Sequence, residues 1–131
     1  SRTSNPSPPD LQDLDVRRNP LYQEVARLAT KWDEKLAGSC GLVVGATYPE
    51  ELGILREMAP DLPFLIPGIG AQGGSLGEAV AHGATEDGIG PLINSSRGVI
   101  YASSGPDFGG AARTAALELR NRINEERGVS L

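Results

Sequence analysis

The sequence has 131 residues, of which 39% are hydrophobic and 22% are charged, proportions typical of one globular domain rather than a disordered acidic segment. The net charge of −5 argues against nucleic acid as the main partner, because phosphate backbones require clustered Lys and Arg. No apolar run approaches the roughly 20 residues of a membrane span, so no membrane partner is expected. A single cysteine excludes an internal disulfide and indicates a reduced, cytoplasmic setting.

The first predicted helix follows a proline-rich opening and runs from Pro20 to Leu36. Its apolar residues recur at intervals of three or four and are Leu21, Val25, Leu28, Trp32 and Leu36. Because such spacing places side chains on one face of a helix, we expect this stripe, Trp32 included, to face the core.

Three continuous apolar runs indicate buried strands, as is typical of parallel sheets. These strands are predicted over 41–45, 63–67 and 91–95. Helices are predicted over 49–59, 76–81 and 108–126, and a single helical turn is predicted over 99–102. In the helix over 49–59, the residues expected to face inward are Leu52, Leu55 and Ala59. Ser75 and Asp107 are the expected caps of two of them. Strands that alternate with helices imply right-handed βαβ units and an α/β fold.

Two loops at the predicted carboxyl ends of strands suit an anion. The glycine-rich segment 67–74 exposes backbone N–H groups, and the turn Ser96-Arg97-Gly98 adds an arginine fork before a short helix. In a (β/α)8 barrel, the loops after the last two strands and the start of a short extra helix often bind phosphate. Here the glycine-rich loop and the arginine turn follow two successive predicted strands in the same order, so the pattern favours a phosphate site. Alternatively, the glycine loop could merely let a strand turn, and Arg97 could be solvated or ion-paired.

Other reactive side chains are expected to be structural. His82, at the end of a short helix, would interact with helix carbonyls rather than catalyse, and Cys40 would be a buried thiol. Asp87 and Glu86 lie in a polar loop and are expected to be solvated. Histidines and carboxylates do not show metal-ligand spacing, so neither a metal nor another cofactor is expected.

Four segments together resemble the orotidine 5′-phosphate decarboxylase family, in particular its bacterial members with longer chains. They are Thr3 to Pro6, Gly41 to Glu50 (GLVVGATYPE), Leu65 to Gly74 (LIPGIGAQGG) and Ile93 to Ala102 (INSSRGVIYA). The likeness runs in order from residue 1 to about residue 127. It implies a homodimeric (β/α)8 TIM barrel that converts orotidine 5′-phosphate to uridine 5′-phosphate (UMP) and carbon dioxide in pyrimidine biosynthesis, without a cofactor.

The resemblance also implies which residues bind substrate. Ser4 would hydrogen-bond the amide edge of the pyrimidine, and Pro67 would pack beside the base. Gln72 would bridge base and phosphate. Arg97 would bind the phosphate, helped by the backbone N–H groups of Ser96 and Arg97.

The catalytic array of that family is absent from the sequence. The array includes an Asp-x-Lys-x-x-Asp motif that no segment matches, and the two lysines, Lys31 and Lys35, fall on the outer side of the first predicted helix. Because a complete barrel needs about 250 residues, residues 1–131 are expected to form the carboxyl-terminal half of one decarboxylase domain, starting at the end of its fifth strand. This half would hold no catalytic residue, would be inactive alone and would need the amino-terminal half as partner.

Two other functions fit the same loops. One is a different phosphate-binding TIM-barrel enzyme, such as an epimerase or synthase of phosphorylated metabolites. The other is a non-catalytic half-barrel that serves in assembly or ligand binding. Substitution of Ser4 and Gln72 would alter pyrimidine preference only if the chain binds a pyrimidine nucleotide.

Overall fold

The computed structural model describes residues 13–16, 18–70 and 74–128. In chain order its elements are β1 (Asp15–Val16), β2 (Asn19–Pro20), α1 (Leu21–Asp33), β3 (Leu42–Val43), α2 (Pro49–Met58), β4 (Phe64–Ile66), α3 (Leu76–Gly83), β5 (Pro91–Ile93), α4 (Ser96–Ile100) and α5 (Phe108–Glu126). From α1 onward, this order confirms the predicted alternation of helices and strands. The antiparallel pair β1–β2, which turns through Arg18 at a φ of 73°, was not predicted.

The main sheet is parallel and has the strand order β3-β4-β5. Helices cover one of its faces, where the buried strand-region side chains are Leu42, Val44, Phe64 and Ile66. On the opposite face Val43, Leu65 and Leu92 are 47%, 40% and 59% exposed. Coverage on one face only is the arrangement of a barrel segment, because a doubly wound sheet carries helices on both faces.

Helix α1 uses a different face for the core from the one predicted. Its buried apolar side chains are those of Tyr22, Ala26 and Ala29. Trp32 is 53% exposed, and Val25, Leu28 and Leu36 are exposed as well, so the expectation that this stripe faces the core is wrong. The two alanines let the helix backbone lie close to the other core elements, and the larger apolar side chains are left on its flank.

The later helices agree better with the periodicity. Leu52, Leu55 and Ala59 are fully buried, as predicted for α2, and the Ser75 hydroxyl caps α3 by accepting from the Glu78 N–H at 3.4 Å. Helix α5 has the predicted bounds, but the Asp107 side chain does not cap it and accepts from the Ser103 hydroxyl instead. No described side chain of α5 is fully buried, so this helix is only partly covered.

In the part of the chain that the structure describes, no helix combines the length and apolar character that crossing a membrane requires.

Candidate functional site

The carboxyl ends of β4 and β5 open into one cleft of about 280 Å³. Residues 67–70, from the loop after β4, form one wall. Residues 94–98, from the end of β5 and the first turn of α4, form the other. The two loops that the sequence singled out for an anion are therefore neighbours in space, as the parallel sheet requires.

The glycine-rich loop after β4 is closed by its own backbone. The Gly70 N–H donates to the Gly74 carbonyl at 3.1 Å, and the Gly74 N–H donates to the Gly68 carbonyl at 3.2 Å. Gly68 has a φ of 100°, which residues with a side chain rarely adopt. Gly74 lies so close to the loop after β3 that a Cβ there would be 2.6 Å from the Ala46 Cβ. These contacts fix the loop against the neighbouring strand end.

The second wall is built by a helix that starts directly after β5. The Val99 N–H donates to the Ser95 carbonyl at 3.1 Å, and the Tyr101 N–H donates to the Arg97 carbonyl at 3.2 Å. Segment 96–100 is thus one helix, and the predicted separation of a turn at 96–98 from a helical turn at 99–102 is wrong. Because the first N–H groups of a helix lack intrahelical acceptors, those of Ser96 and Arg97 lie where an anion can accept from them.

The Arg97 guanidinium is the cationic group of this cleft. Arg97 is exposed, and among residues 13–16, 18–70 and 74–128 no carboxylate forms an ion pair with it. A guanidinium offers a planar fork of donors that matches phosphate or carboxylate oxygens. The cleft therefore combines a permanent positive charge with backbone donors and suits a phosphate group.

A larger groove of about 580 Å³ lies at the other edge of the sheet, before β4 and β5. Its charged lining residues are Asp61, Glu86 and Asp87. The Thr85 hydroxyl and the Ile89 N–H donate to the Asp87 carboxylate and hold its pKa below the ordinary value. A groove lined by carboxylates repels phosphate, so the smaller cleft is the better candidate despite its size.

Three of the five predicted binding residues, Pro67, Ser96 and Arg97, line the cleft together. The other two, Ser4 and Gln72, lie outside the described residues. Sequence reasoning did not single out Asn94 or Ile69, which also line the cleft. Asn94 follows the last residue of β5, so its position at a strand end was the available signal.

The remaining reactive side chains lie outside the cleft lining. His82 is exposed near the end of α3, beside α2. Cys40 is half-buried rather than buried as expected, and its N–H donates to the Asp33 carboxylate at 2.6 Å. Within the described residues, no group of three or more His, Cys, Asp or Glu side chains could hold a metal ion.

Curated relatives match nearly the whole chain, although no family model matches it. The orotidine 5′-phosphate decarboxylase of Azoarcus sp. (strain BH72) is 52% identical over 126 residues, which are 96% of this chain and 46% of that protein. The orotidine 5′-phosphate decarboxylase of Cellvibrio japonicus (strain Ueda107) is 52% identical over 127 residues, with the same shares. The chain spans about half the length of the curated relatives that it matches.

Solved structures agree with this similarity. The OMP decarboxylase of Leishmania donovani superimposes with a TM-score of 0.79 at 42% identity, over 98% of this chain and 46% of that one. The UMP synthase of Leishmania donovani gives a TM-score of 0.80 at 46% identity, over 96% of this chain and 26% of that chain. The chain is a homologue of orotidine 5′-phosphate decarboxylases that spans about half of their length, and its fold is half of a TIM barrel.

Proposed function

We propose that this chain supplies the substrate-binding half of an orotidine 5′-phosphate decarboxylase, which acts as a cytoplasmic homodimer and releases carbon dioxide to form UMP. The observation that carries the proposal is the convergence of Pro67, Ser96 and Arg97 on one cleft at the carboxyl edge of the sheet. The names of the relatives support the choice of substrate.

In this proposal the substrate phosphate lies at the start of α4. The Arg97 guanidinium binds two phosphate oxygens, and the N–H groups of Ser96 and Arg97 donate to the remaining lone pairs. Hydrogen bonds to charged groups contribute about 1.5–3 kcal/mol each. The phosphate site therefore supplies a large share of the binding energy at a distance from the reacting carbon.

The pyrimidine lies on the Pro67 side of the cleft. The proline ring offers the base a rigid apolar surface because its φ is fixed. From the family resemblance we assign the amide edge of the base to the Ser4 hydroxyl, and the bridge between base and phosphate to the Gln72 amide. A pyrimidine amide edge presents both a donor and an acceptor, which a hydroxyl can satisfy.

The reacting groups come from elsewhere in this proposal. Lys31 and Lys35 are exposed on and just beyond α1 and line no part of the cleft, so neither is assigned to catalysis. The catalytic lysine and aspartates belong to the complementary amino-terminal half of the domain. This chain contributes by binding the phosphate and base, and that binding energy can align the substrate and close loops over it.

Nucleotide binding by a chimera tests the proposal. In this chimera the chain replaces the 127 matched residues of the Cellvibrio japonicus relative. Arg97→Ala should weaken UMP binding by about 100-fold or more, because a bidentate charged contact is lost, and it should leave the much weaker binding of uridine nearly unchanged. Arg122→Ala, which removes an exposed arginine of α5, is the matched control and should have no effect.

Equal UMP affinity for Arg97→Ala and for the unsubstituted chimera would refute the phosphate role. A second pair of variants tests the base contacts. Ser4→Ala and Gln72→Ala should reduce the preference for UMP over ribose 5-phosphate. An unchanged preference would favour a phosphate-binding barrel with another substrate.

A further inference from the structure

Helix α1 carries an exposed apolar flank formed by Val25, Leu28, Trp32 and Leu36. These side chains are 36%, 39%, 53% and 60% exposed. Leu36 lies beyond the last residue of α1, but its N–H donates to the Trp32 carbonyl at 3.0 Å and continues the helical turn. Single exposed apolar residues are ordinary, whereas a contiguous row of four large ones indicates a surface that is covered in the functional assembly.

The apolar flank adjoins the core face of the same helix. At 100° per residue, its centre lies about 80° around the helix from that of the buried residues Tyr22, Ala26 and Ala29. A barrel helix needs both surfaces, one against the sheet and one against a neighbouring helix. Helix α1 packs against α2, but the exposure of the flank shows that α2 does not cover it.

The sheet topology places a missing neighbour beside α1. Helix α1 leads into β3, which is the outer strand of the order β3-β4-β5. Because parallel strands are joined by right-handed crossovers, a strand on the open edge of β3 would precede α1. The helix leading into that strand would then lie beside α1, on the side away from α2. About half of each matched curated relative lies outside the part that this chain represents, which is enough sequence for these elements.

We infer that the apolar flank docks an apolar-faced helix of the complementary half-barrel. This inference rests on the proposed function, because it takes the complementary half to be the remainder of a decarboxylase domain. Beyond the proposed function, the apolar flank gives the two halves a helix–helix contact outside the barrel sheet. Trp32 and Leu28 lie in the middle of the flank and are the side chains expected to fill the helix–helix contact.

Thermal unfolding of two proteins tests this surface. One is the 131-residue chain by itself, and the other is the chimera with the Cellvibrio japonicus relative. Leu28→Glu should lower the unfolding midpoint of the chimera by about 4 °C or more, since it buries an unpaired charge at the contact. It should change the midpoint of the chain alone by less than about 1 °C, because Leu28 is exposed there. Lys31→Glu, at an exposed position of the same helix, should change the unfolding midpoint of both proteins by the same amount.

Trp32 fluorescence gives an independent measurement, because Trp32 is the only tryptophan of the chain. Tryptophans contributed by the relative are replaced by phenylalanine. Acrylamide should quench Trp32 strongly in the chain alone and at least about threefold less in the chimera, where the flank is covered.

Three results would overturn the inference. Leu28→Glu could lower the unfolding midpoint of both proteins by the same amount, which would mean that Leu28 packs within this chain rather than against the other half. Trp32 could be quenched equally in both, which would leave the flank in solvent. Sedimentation could show that the chain alone is a dimer dissociated by Leu28→Glu, which would make a second copy the occupant. A chimera could give the expected unfolding and quenching results and yet show no UMP binding that depends on Arg97. That result would refute the proposed function but would still support the apolar flank as the docking surface.

Discussion

The guanidinium carbon of Arg56 lies 3.7 Å from the centroid of the Phe64 ring, so a charged side chain rests on an aromatic ring of the core. Its Nε and Nη2 donate to the Gly83 carbonyl at 3.0 and 2.7 Å. Its Nη1 donates to three further carbonyls, those of Ala59, Pro60 and Leu62. Burial lowers the pKa of Arg56, and the nearby Asp61 carboxylate opposes that shift. One arginine therefore joins the ends of α2 and α3 to the segment that leads into β4.

Removal of this arginine should destabilise the fold. Arg56→Ala leaves buried carbonyls without donors, at about 1–3 kcal/mol for each unsatisfied group, so we expect a loss of about 3 kcal/mol or more in the free energy of unfolding. Arg122→Ala, on the exposed side of α5, should change it by less than about 0.5 kcal/mol. Urea unfolding measures both, and a similar small effect for the two variants would show that the Arg56 contacts do not hold the helix ends.

The glycine loop should tolerate no side chain at its closing residue. Gly74→Ala would place a Cβ 2.8 Å from the Gly68 carbonyl oxygen as well as against Ala46, and neither backbone segment can move cheaply. We expect a loss of about 1–3 kcal/mol together with weaker UMP binding in the chimera. Gly109→Ala is the matched control, since a Cβ at that helical position meets nothing within 4 Å. It should be neutral or stabilising by up to about 1 kcal/mol.

Urea unfolding and a UMP titration of the same two variants check this prediction. If Gly74→Ala retained both stability and affinity, the close packing of the loop on the β3 end would have no role in shaping the cleft.

Stability should fall at acid pH partly through Asp87. Its pKa is depressed in the folded protein by the Thr85 hydroxyl and then by the Ile89 N–H, so ionisation stabilises the fold above the ordinary aspartate pKa of about 3.9. This contribution is present at neutral pH and is lost as pH falls below about 4 through the folded-state value. Asp87→Asn should therefore flatten the decline in unfolding free energy between pH 4 and 2.

Glu86→Gln is the control for that measurement, because Glu86 is an exposed carboxylate in the same loop. Chemical unfolding across this pH range should give the unsubstituted protein and Glu86→Gln parallel curves. Identical slopes for Asp87→Asn and the unsubstituted protein would contradict the assigned hydrogen bonds.

Local patterns predicted most of the elements because each depends on residues close in sequence. The spacing of Leu52, Leu55 and Ala59 predicts the inward face of α2. Helix α5 has the predicted bounds, although Asp107, from which its start was predicted, does not cap it. The prediction that the α1 stripe faces the core is wrong because residues at three- and four-residue intervals identify an apolar side of a helix. They do not show whether that side packs against the core or against another partner. Ala26 and Ala29 make the core contact because small side chains allow close approach, which a periodicity of large residues overlooks.

Long-range contacts explain the other omissions. Sequence patterns do not single out Arg56, because its carbonyl partners include Gly83, 27 positions away. The cleft was anticipated through Pro67, Ser96 and Arg97 because parallel strands bring their carboxyl ends to one edge. Asn94 was missed because a single polar residue at a strand end carries little signal by itself. The roles of Ser4 and Gln72 remain predictions from the family resemblance.

The most direct measurement of the central claim is decarboxylation of orotidine 5′-phosphate by the chimera, followed by the appearance of UMP. If this chain supplies a working substrate-binding half, the chimera should turn over substrate, and Arg97→Ala should lower its kcat/KM by about 100-fold or more, whereas Arg122→Ala should not. A folded chimera that forms no UMP at any substrate concentration, or one whose activity is the same with Arg97→Ala, would contradict the account.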